Sequence, residues 1–513
     1  MKKLFALFVS VWLAVPYVTP ALSQDQPSAS SLTQSIEQAC QTLDPAGLAV
    51  AVVKDGKTEI LYTYGKESMA TGQQVTAGSL FNIASCSKAF TAASLAVLVQ
   101  EGKLQWDDLV TQYIPELKLA DPYITSNLNL IDILAHRSGF STFTGDLLWY
   151  RTDYTNEQII ERMRYLPIEN EFRSEYGYQN NMYMVAGEII ERVTGKSWSA
   201  FVKERFFDPL GMKATAASSD ELPANADIAY PHDQGEQMEI YDFQGTKPAA
   251  SIYSNIRDLS RWVQMWLAEG RYGDHTIMNP GAVSACLTPR TLLGVSRARE
   301  KQGTHFRAYG LGWSMYDYNG VKVVEHSGGM PGYLSKITMV PEHDLGIVIL
   351  NNGFDLFIRQ VVLNTVMDAY LELEAEKDYA EEAVKVRERY LKSQKKEREK
   401  RLGHRIENTN PSLKPQDYQG SYVDKFYGKA EIRMTDEGPE LSLLPAAEFF
   451  TSTMKHWHYD TYRVDFKDPF LPFGLVTFDF NSKGEVRGFS IDLPSNDFHF
   501  QNLYFEKIPG TAD

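Results

Sequence analysis

Cysteine is scarce in this chain, with only Cys40, Cys86 and Cys286 among 513 residues. That excludes a disulfide-stapled scaffold, and an odd number leaves at least one thiol free. A chain this long buries enough core without staples, so buried free thiols are expected. Long apolar runs are also lacking. Beyond the first two dozen residues, none reaches the roughly 20 residues that a membrane-spanning helix needs. Basic charge is in deficit, at 51 Lys and Arg against 66 Asp and Glu, for a net charge of -15. A nucleic-acid binder usually presents a basic face, so nucleic acid is not an expected partner. There is no C-x-x-C, no H-E-x-x-H and no GxGxxG opening a helix. His456 and His458 alternate on a predicted strand, but no third ligand accompanies them. No metal or organic cofactor is expected.

What remains is ordinary globular usage, 43% hydrophobic and 23% charged. Residues 1–23 read as a secretory signal peptide: Lys2 and Lys3, an apolar stretch from about Leu4 to Val15, then Ala21-Leu22-Ser23. Cleavage is expected after Ser23. No cysteine near that point suggests a lipid anchor. A periplasmic or extracellular location follows, with no stable membrane anchor after cleavage. From Gly47 to Tyr64 two apolar strands flank the hairpin signal Lys54-Asp55-Gly56-Lys57. SKAFTAASLAVLVQEGKL reads as a helix stopped at Gly102. Helix and loop patterns fill Asp107 to about Leu267, and strands return between Gly310 and Gly353. Strands at both ends with helices between predict one sheet closed by the two chain ends. The composition shifts near Asp368 to a Glu-, Lys- and Arg-rich stretch whose opposite charges recur at helical spacing, an exposed linker helix. From about Pro411, alternating segments such as AEIRM, LVTFDF and VRGFSI predict a small all-β module.

Three motifs carry chemistry. Ser85 and Lys88 form an S-x-x-K at the start of the predicted helix, where residues three apart share a face. A serine hydroxyl needs an adjacent base or cation to become a nucleophile, and a nearby lysine supplies either. The motif alone is weak, since chance gives roughly one or two copies in a chain of this length. Ser393 and Lys396 are a second copy, inside the charged helix. Tyr-x-Asn occurs three times, at Tyr154–Asn156, Tyr178–Asn180 and Tyr253–Asn255. Spacing does not choose among them. Asn156 and Asn255 each precede a helical run and read as N-caps. His326, Ser327 and Gly328 form the chain's only H-x-G, on the predicted strand VKVVEHSGG. A glycine-rich strand marks close approach of a ligand, and an edge strand with free N–H groups can bind a peptide or donate to an oxyanion.

FNIASCSKAFTAASLAVLVQEGKL, LIDILAHRSGF, YGYQNNMYMVAGEIIERVTGKSW and YGLGW…VVEHSGGMPGYLSKITMVPEHDLGIVILNNG, in that order, closely resemble the β-lactamase-related serine hydrolases. These include class C β-lactamases, D-alanyl-D-alanine carboxypeptidases, D-aminopeptidases and esterases. The resemblance covers about residues 35–368. The tail YQGSY…YGKAEI…MKHWHYDTYRV resembles the lipocalin-like β-barrel that follows some members. The resemblance implies Ser85 as nucleophile, Lys88 as its activating partner and Tyr178 as general base. It gives Asn180 the orienting of substrate or Lys88. The backbone N–H groups of Ser85 and Gly329 would form the oxyanion hole. His326 falls where many relatives carry the lysine of K-T-G, with Ser327 and Gly328 beside it facing substrate. Without that fixed cation for the antibiotic carboxylate, efficient β-lactamase activity is not expected. Before SNIRDL this chain has PAASIY where relatives often carry a Gly pair, a departure expected to touch a loop and not the chemistry.

The expected fold is α/β (α+β): an antiparallel sheet flanked by helices with an all-helical subdomain, then a linker helix and a small β-barrel. The expected divisions are 1–23 signal, 24–368 catalytic, 369–408 linker and 409–513 barrel. The expected function is a secreted serine hydrolase that forms a Ser85 acyl-enzyme on a short peptide or amide, or an ester. Ser85's proton passes to Tyr178 or Lys88, which titrate as a pair. The alternatives are a β-lactamase and a receptor that binds peptide or penicillin without turnover. Oligomerisation is left open.

Overall fold

The computed structural model describes residues 28–233, 235–241, 244–373 and 378–510. The signal-peptide segment lies outside them. No described helix is long and apolar enough to cross a membrane.

The first hairpin shows how the sequence builds the sheet. Strand β1 (Gly47–Lys54) turns into β2 (Lys57–Gly65) through Asp55 and Gly56, whose φ angles of 49° and 70° are both left-handed. This two-residue turn matches the right-handed twist of the strands, and glycine takes such an angle at no steric cost. Strands β3 (Thr291–Leu293), β4 (Arg307–Tyr309), β5 (Ser314–Tyr318), β6 (Val321–Met330), β7 (Tyr333–Val340) and β8 (Leu345–Asn351) complete an eight-stranded sheet. Its order is β2-β1-β8-β7-β6-β5-β4-β3, with every pairing antiparallel. The first and last strands of this sheet in chain order, β1 and β8, therefore pair, as the strand distribution predicts.

Both faces of the sheet are covered. Leu48, Val50 and Val52 of β1 pack with Ile36 of helix α1 (Ala29–Leu43) and Val362 of α5 (Leu356–Tyr370). The alternate residues Ala49, Ala51 and Val53 join the cluster holding Phe90 of α2 (Ser87–Gln100) and Trp262 of α4 (Ile256–Leu267). The period of two along a strand thus assigns each residue to one layer. α2 is buried from Ser87 through Leu98, which makes it the central helix of the molecule. Helix α3 (Asn181–Thr194) packs beside it in the helical region. Cys40, Cys86 and Cys286 are free and buried.

Helix α6 (Tyr379–Gly403) is solvent-exposed and buries only Ala383. Ser393 and Lys396 are exposed on it, so this second S-x-x-K has no cleft. Nine short strands between Gly420 and Lys507 then form one antiparallel sheet that curls into a nearly closed barrel. Aromatic pairs fill it, Tyr422 on Phe489 at 5.0 Å and Phe489 on Phe505 at 4.9 Å between ring centroids. The barrel is bolted to the helical region. Arg151 pairs with buried Asp468 at 3.1 Å, and the Tyr150 hydroxyl donates to Asp468 at 3.0 Å. The Arg151 guanidinium lies 3.4 Å from the Tyr241 ring centroid and 3.8 Å from that of Phe449.

Candidate active site

The candidate nucleophile sits on a strained turn. Ala84 has φ 46°, a left-handed angle that non-glycine residues rarely adopt, held by its N–H donating to Asn82 Oδ1 at 2.6 Å. Ser85 follows, half-buried at the mouth of α2, and Lys88 lies in the helix's first turn, fully buried. Lys88 Nζ is 2.6 Å from Asn180 Oδ1, 3.1 Å from the Ala249 carbonyl and 3.2 Å from Ser85 Oγ. Ala249 belongs to the PAASIY segment. That departure therefore reaches the site: its backbone carbonyl holds Lys88, and the preceding Pro248 carbonyl accepts from Thr91 at 2.6 Å. Burial drives the Lys88 pKa down to about 7, against the raising field of Asp146.

Asp146 carries no sequence motif and is the main residue the motifs miss. It is buried and accepts from Asn180 Nδ2 at 2.6 Å. A carboxylate oxygen only accepts, so this contact turns the amide with its oxygen toward Lys88. Burial raises the Asp146 pKa to about 7, opposed by Asn180's hydrogen bond. Tyr178 completes the group. Lys88 Nζ lies 4.7 Å from its ring centroid, and the Ser85 side chain acts on its phenol, opposing the effect of burial. Burial holds the Tyr178 phenol well above its usual range. Behind the ring stands His136 at 4.3 Å between centroids, its Nδ1 accepting the Gln179 N–H at 3.0 Å.

Of the three Tyr-x-Asn copies, only the second meets Ser85. The Tyr154 hydroxyl donates to the Tyr427 carbonyl at 2.6 Å, in the barrel interface. Asn156 is not an N-cap; Thr155 caps that helix in a capping box with Gln158. Asn255 does cap α4, accepting from Arg257 N and Asp258 N.

The H-x-G strand differs from the expectation of an edge. β6 is interior, but its pairing with β5 ends at Glu325 opposite Ser314. From His326 to Met330 only β7 pairs it, so its other edge opens onto the cleft. Gly328 allows the close approach: a Cβ there would fall 2.3 Å from the Ile83 carbonyl oxygen and 3.0 Å from Ala84 Cβ, on the nucleophile turn. A Cβ at the exposed Gly329 would meet only Leu334 Cδ2, at 3.6 Å. Gly328→Ala is therefore expected to cost about 1–3 kcal/mol by overpacking, whereas Gly329→Ala leaves the melting temperature within a degree or so. Thermal unfolding of both variants checks this; equal melting points would show that Gly328 is not a packing requirement.

His326 is 5% exposed and its ring is already engaged. Nδ1 lies 2.8 Å from the Ser327 carbonyl, which only accepts, so Nδ1 carries the proton. Nε2, 2.8 Å from the Tyr309 hydroxyl, then accepts from it. Burial and the neighbouring Lys88 lower its pKa to about 3, so the ring is neutral. Ser327 is half-buried beside it and lines the cleft. The expected hydrogen bond from His326 to substrate thus has no free ring nitrogen to make it. Arg307, two residues before Tyr309 on β4, lines the cleft along with Arg299 and Arg359. Its Nη1 donates to the Gly294 carbonyl at 3.2 Å, and its buried Nε has no partner. The adjacent Lys336 and Glu325 form a buried 2.8 Å ion pair.

These groups face one cleft of about 780 Å³, which holds Ser85, Tyr178, Asn180, His326, Gly329 and Arg307. Four barrel residues also line it: Phe470, Ser495, Asp497 and Phe498. Among the described residues, those lining a groove of about 820 Å³ beneath α6 include no serine, cysteine or threonine. Among the described residues no cluster of three His, Cys, Asp or Glu could hold a metal.

Comparison with known proteins places this geometry. Residues 33–369 match the Beta-lactamase family model, and residues 404–507 match a domain of unknown function, DUF3471. The chain is 30% identical over 341 residues to the unguisins hydrolase ungD of Aspergillus violaceofuscus, covering 60% of this chain and 58% of that protein. It is 27% identical over 314 residues to penicillin-binding protein 4 of Amycolatopsis lactamdurans, covering 60% and 81%. The chain spans less than two thirds of the fungal hydrolases it matches. The octameric penicillin-binding protein homologue from Pyrococcus abyssi shares the fold with a TM-score of 0.60, at 20% identity, over 93% of this chain and 99% of that one. With the family model matched over well more than half its length, the chain belongs to the β-lactamase family and carries a DUF3471 barrel behind it.

Proposed function

We propose that the protein is a serine acyl hydrolase of the peptidase or amidase type, acting on short peptides or amides. The observation that carries this reading is the environment of Lys88. Asn180 Oδ1 and the Ala249 carbonyl only accept, so they take two N–H bonds of the amine. The remaining tetrahedral position points at Ser85 Oγ. With a pKa near 7 the amine is half neutral at that pH and largely neutral above it, and its lone pair receives the serine proton. Ser85 attacks the carbonyl, the N–H groups of Ser85 and Gly329 stabilise the oxyanion, and Tyr178, protonated at rest, donates to the leaving nitrogen. Water then attacks the acyl carbonyl, its proton restoring Tyr178, and as the acyl–oxygen bond breaks Ser85 Oγ takes back the proton held on Lys88. We further propose a periplasmic or extracellular location, from the character of residues 1–23, and self-association, from the likeness to an octameric homologue.

The test is a panel of chromogenic D- and L-aminoacyl amides, an acyl ester and a cephalosporin, with intact mass followed at each step. Turnover of an amide supports the reading. A stable acyl adduct with no turnover of any substrate would instead favour a receptor, and preferred turnover of the cephalosporin a β-lactamase.

Arg307 gives a second expectation. Its guanidinium lines the cleft from β4, and its N–H donors suit a substrate carboxylate. Arg307→Gln should lower kcat/KM by roughly 10–100-fold for substrates ending in a free carboxylate, the span of a charged hydrogen bond. Their C-terminal amides should change by no more than a few-fold. Equal losses on both would remove Arg307 from recognition.

A further inference from the structure

The strand that carries the H-x-G is held from its far side by a charge. Strands β6 and β7 join through the two-residue turn Pro331-Gly332, where Gly332 has φ 73°. Such a turn closes on a hydrogen-bonded pair, here Met330 opposite Tyr333, and bonded pairs then recur at every second residue. Gly328 opposite Ser335 is the next bonded pair, so the Gly328 carbonyl points toward β7. Gly329 lies between the two pairs, so its N–H points the other way, across the edge that β5 leaves open. The Gly328 carbonyl and the Gly329 N–H are the two ends of one planar peptide group. Two glycines in succession leave that group freer to rotate than any other pair of residues would.

Arg359, in the first turn of α5, takes hold of the carbonyl end. Its Nη1 donates to the Gly328 carbonyl at 3.0 Å and to the Ser335 carbonyl at 2.7 Å, the two carbonyls of that bonded pair. Arg359 is half-buried and forms no ion pair among the described residues. A guanidinium keeps its charge at every working pH. A cation on a peptide oxygen draws electron density toward it, which fixes the plane of the peptide and makes the N–H at its other end a stronger donor.

We propose that Arg359 is a positioning residue for the oxyanion: it fixes and polarises the Gly328–Gly329 peptide so that the Gly329 N–H meets the charge that develops on the substrate carbonyl. This deepens the hydrolase reading and rests on it for Gly329 as an oxyanion donor. The support counts only while charge is on that oxygen, so Arg359 acts on kcat and not on substrate binding.

The test uses the full chain, with Arg359→Met to remove the charge and Arg359→Lys to return a cation. Turnover is measured on an amide and a nitrophenyl ester, each ending in a free carboxylate or in a carboxamide. The rate of Ser85 labelling by a fluorophosphonate is measured beside it. Arg359→Met should lower kcat roughly 10–100-fold on every one of these substrates, short of the roughly 10²–10³-fold loss of a whole oxyanion donor, because the N–H itself remains. KM should stay within about three-fold, and labelling should slow with kcat, since phosphonylation builds charge on an oxygen at the same donors. Arg359→Lys keeps the cation and loses the planar fork, so its kcat should fall only roughly 3–10-fold, with the same split from KM. It decides alone if Arg359→Met does not fold, which the melting temperature shows. A loss confined to KM, or to the substrates with a free carboxylate, would overturn the proposal and make Arg359 a binding residue. Wild-type behaviour separates the two claims. If the wild type labels at Ser85 but cleaves nothing, the hydrolase reading falls, and the labelling rates of the variants still judge Arg359. If it neither labels nor cleaves, both fall. If it cleaves and both variants keep its kcat and labelling rate, the positioning role falls alone.

Discussion

Ser85→Ala is expected to abolish covalent labelling by a fluorophosphonate probe and to remove turnover of every substrate in the panel. The argument is geometric. Ser85 Oγ is the hydroxyl that the Lys88 amine and the Tyr178 phenol both reach, at the base of the cleft and beside the free edge of β6. Ser327, on that same strand, faces the cleft beside His326 and Lys336, but both are engaged, His326 by Tyr309 and the Ser327 carbonyl and Lys336 by Glu325. Ser393, in another S-x-x-K, stands on an exposed helix with no wall to exclude water or hold an acyl group. Ser393→Ala should therefore label and turn over as the wild type does. Labelling that survives in Ser85→Ala would move the nucleophile elsewhere, and tryptic mapping of the adduct would show where. The variant should keep its fold, because Ser85 is not a core residue and Cβ remains in place.

The parts of this molecule that the sequence made legible are those whose logic is local. Asp55-Gly56 gives its turn from two residues, and the central helix from Ser87 shows its apolar faces within 14 residues. Ser85 and Lys88 are one helical turn apart, so their spacing already contains their contact. The resemblance selected Tyr178 from three equivalent copies, a choice that spacing alone did not make. Asp146 was hidden because its partner Asn180 is 34 positions away, and STFTGDLLWY has no pattern of its own. The occupation of His326 depends on Tyr309 from a different strand, and Arg307 has meaning only beside them. PAASIY touches the chemistry through a backbone carbonyl, that of Ala249 at the end of a short helix, which no side-chain pattern reports. The edge character of H-x-G was half right: strand order makes β6 interior, and the shortness of β5 frees its last five residues. Barrel residues in the cleft lie more than 300 positions from Ser85, beyond any local pattern.

Lys88→Met and Tyr178→Phe are expected to fail on different substrates. Lys88→Met removes the group placed to receive the serine proton, while keeping an apolar chain in a buried position. It should reduce acylation by esters and amides alike, by roughly 10²–10⁴-fold, the usual span for a general base. Tyr178→Phe removes one oxygen. Its phenol is held protonated by burial, and in the proposed mechanism that proton goes to the leaving group, which matters most for a poor one. Amide turnover should fall by roughly 10²–10⁴-fold, the usual span for a general acid, and a nitrophenyl ester by no more than about ten-fold, because nitrophenolate leaves unaided. Tyr154→Phe loses only a contact to the barrel and should keep both activities within a few-fold. The pH profile supplies the sign. A lysine whose pKa is lowered to about 7 becomes competent as it loses its proton, so kcat/KM in the wild type should rise with pH through about 7. Asp146 titrates in the same range, and the limb belongs to the pair. Tyr178→Phe should keep that limb, and Lys88→Met should lose it. Equal loss on ester and amide in Tyr178→Phe, together with an intact limb in Lys88→Met, would transfer the base from Lys88 to Tyr178.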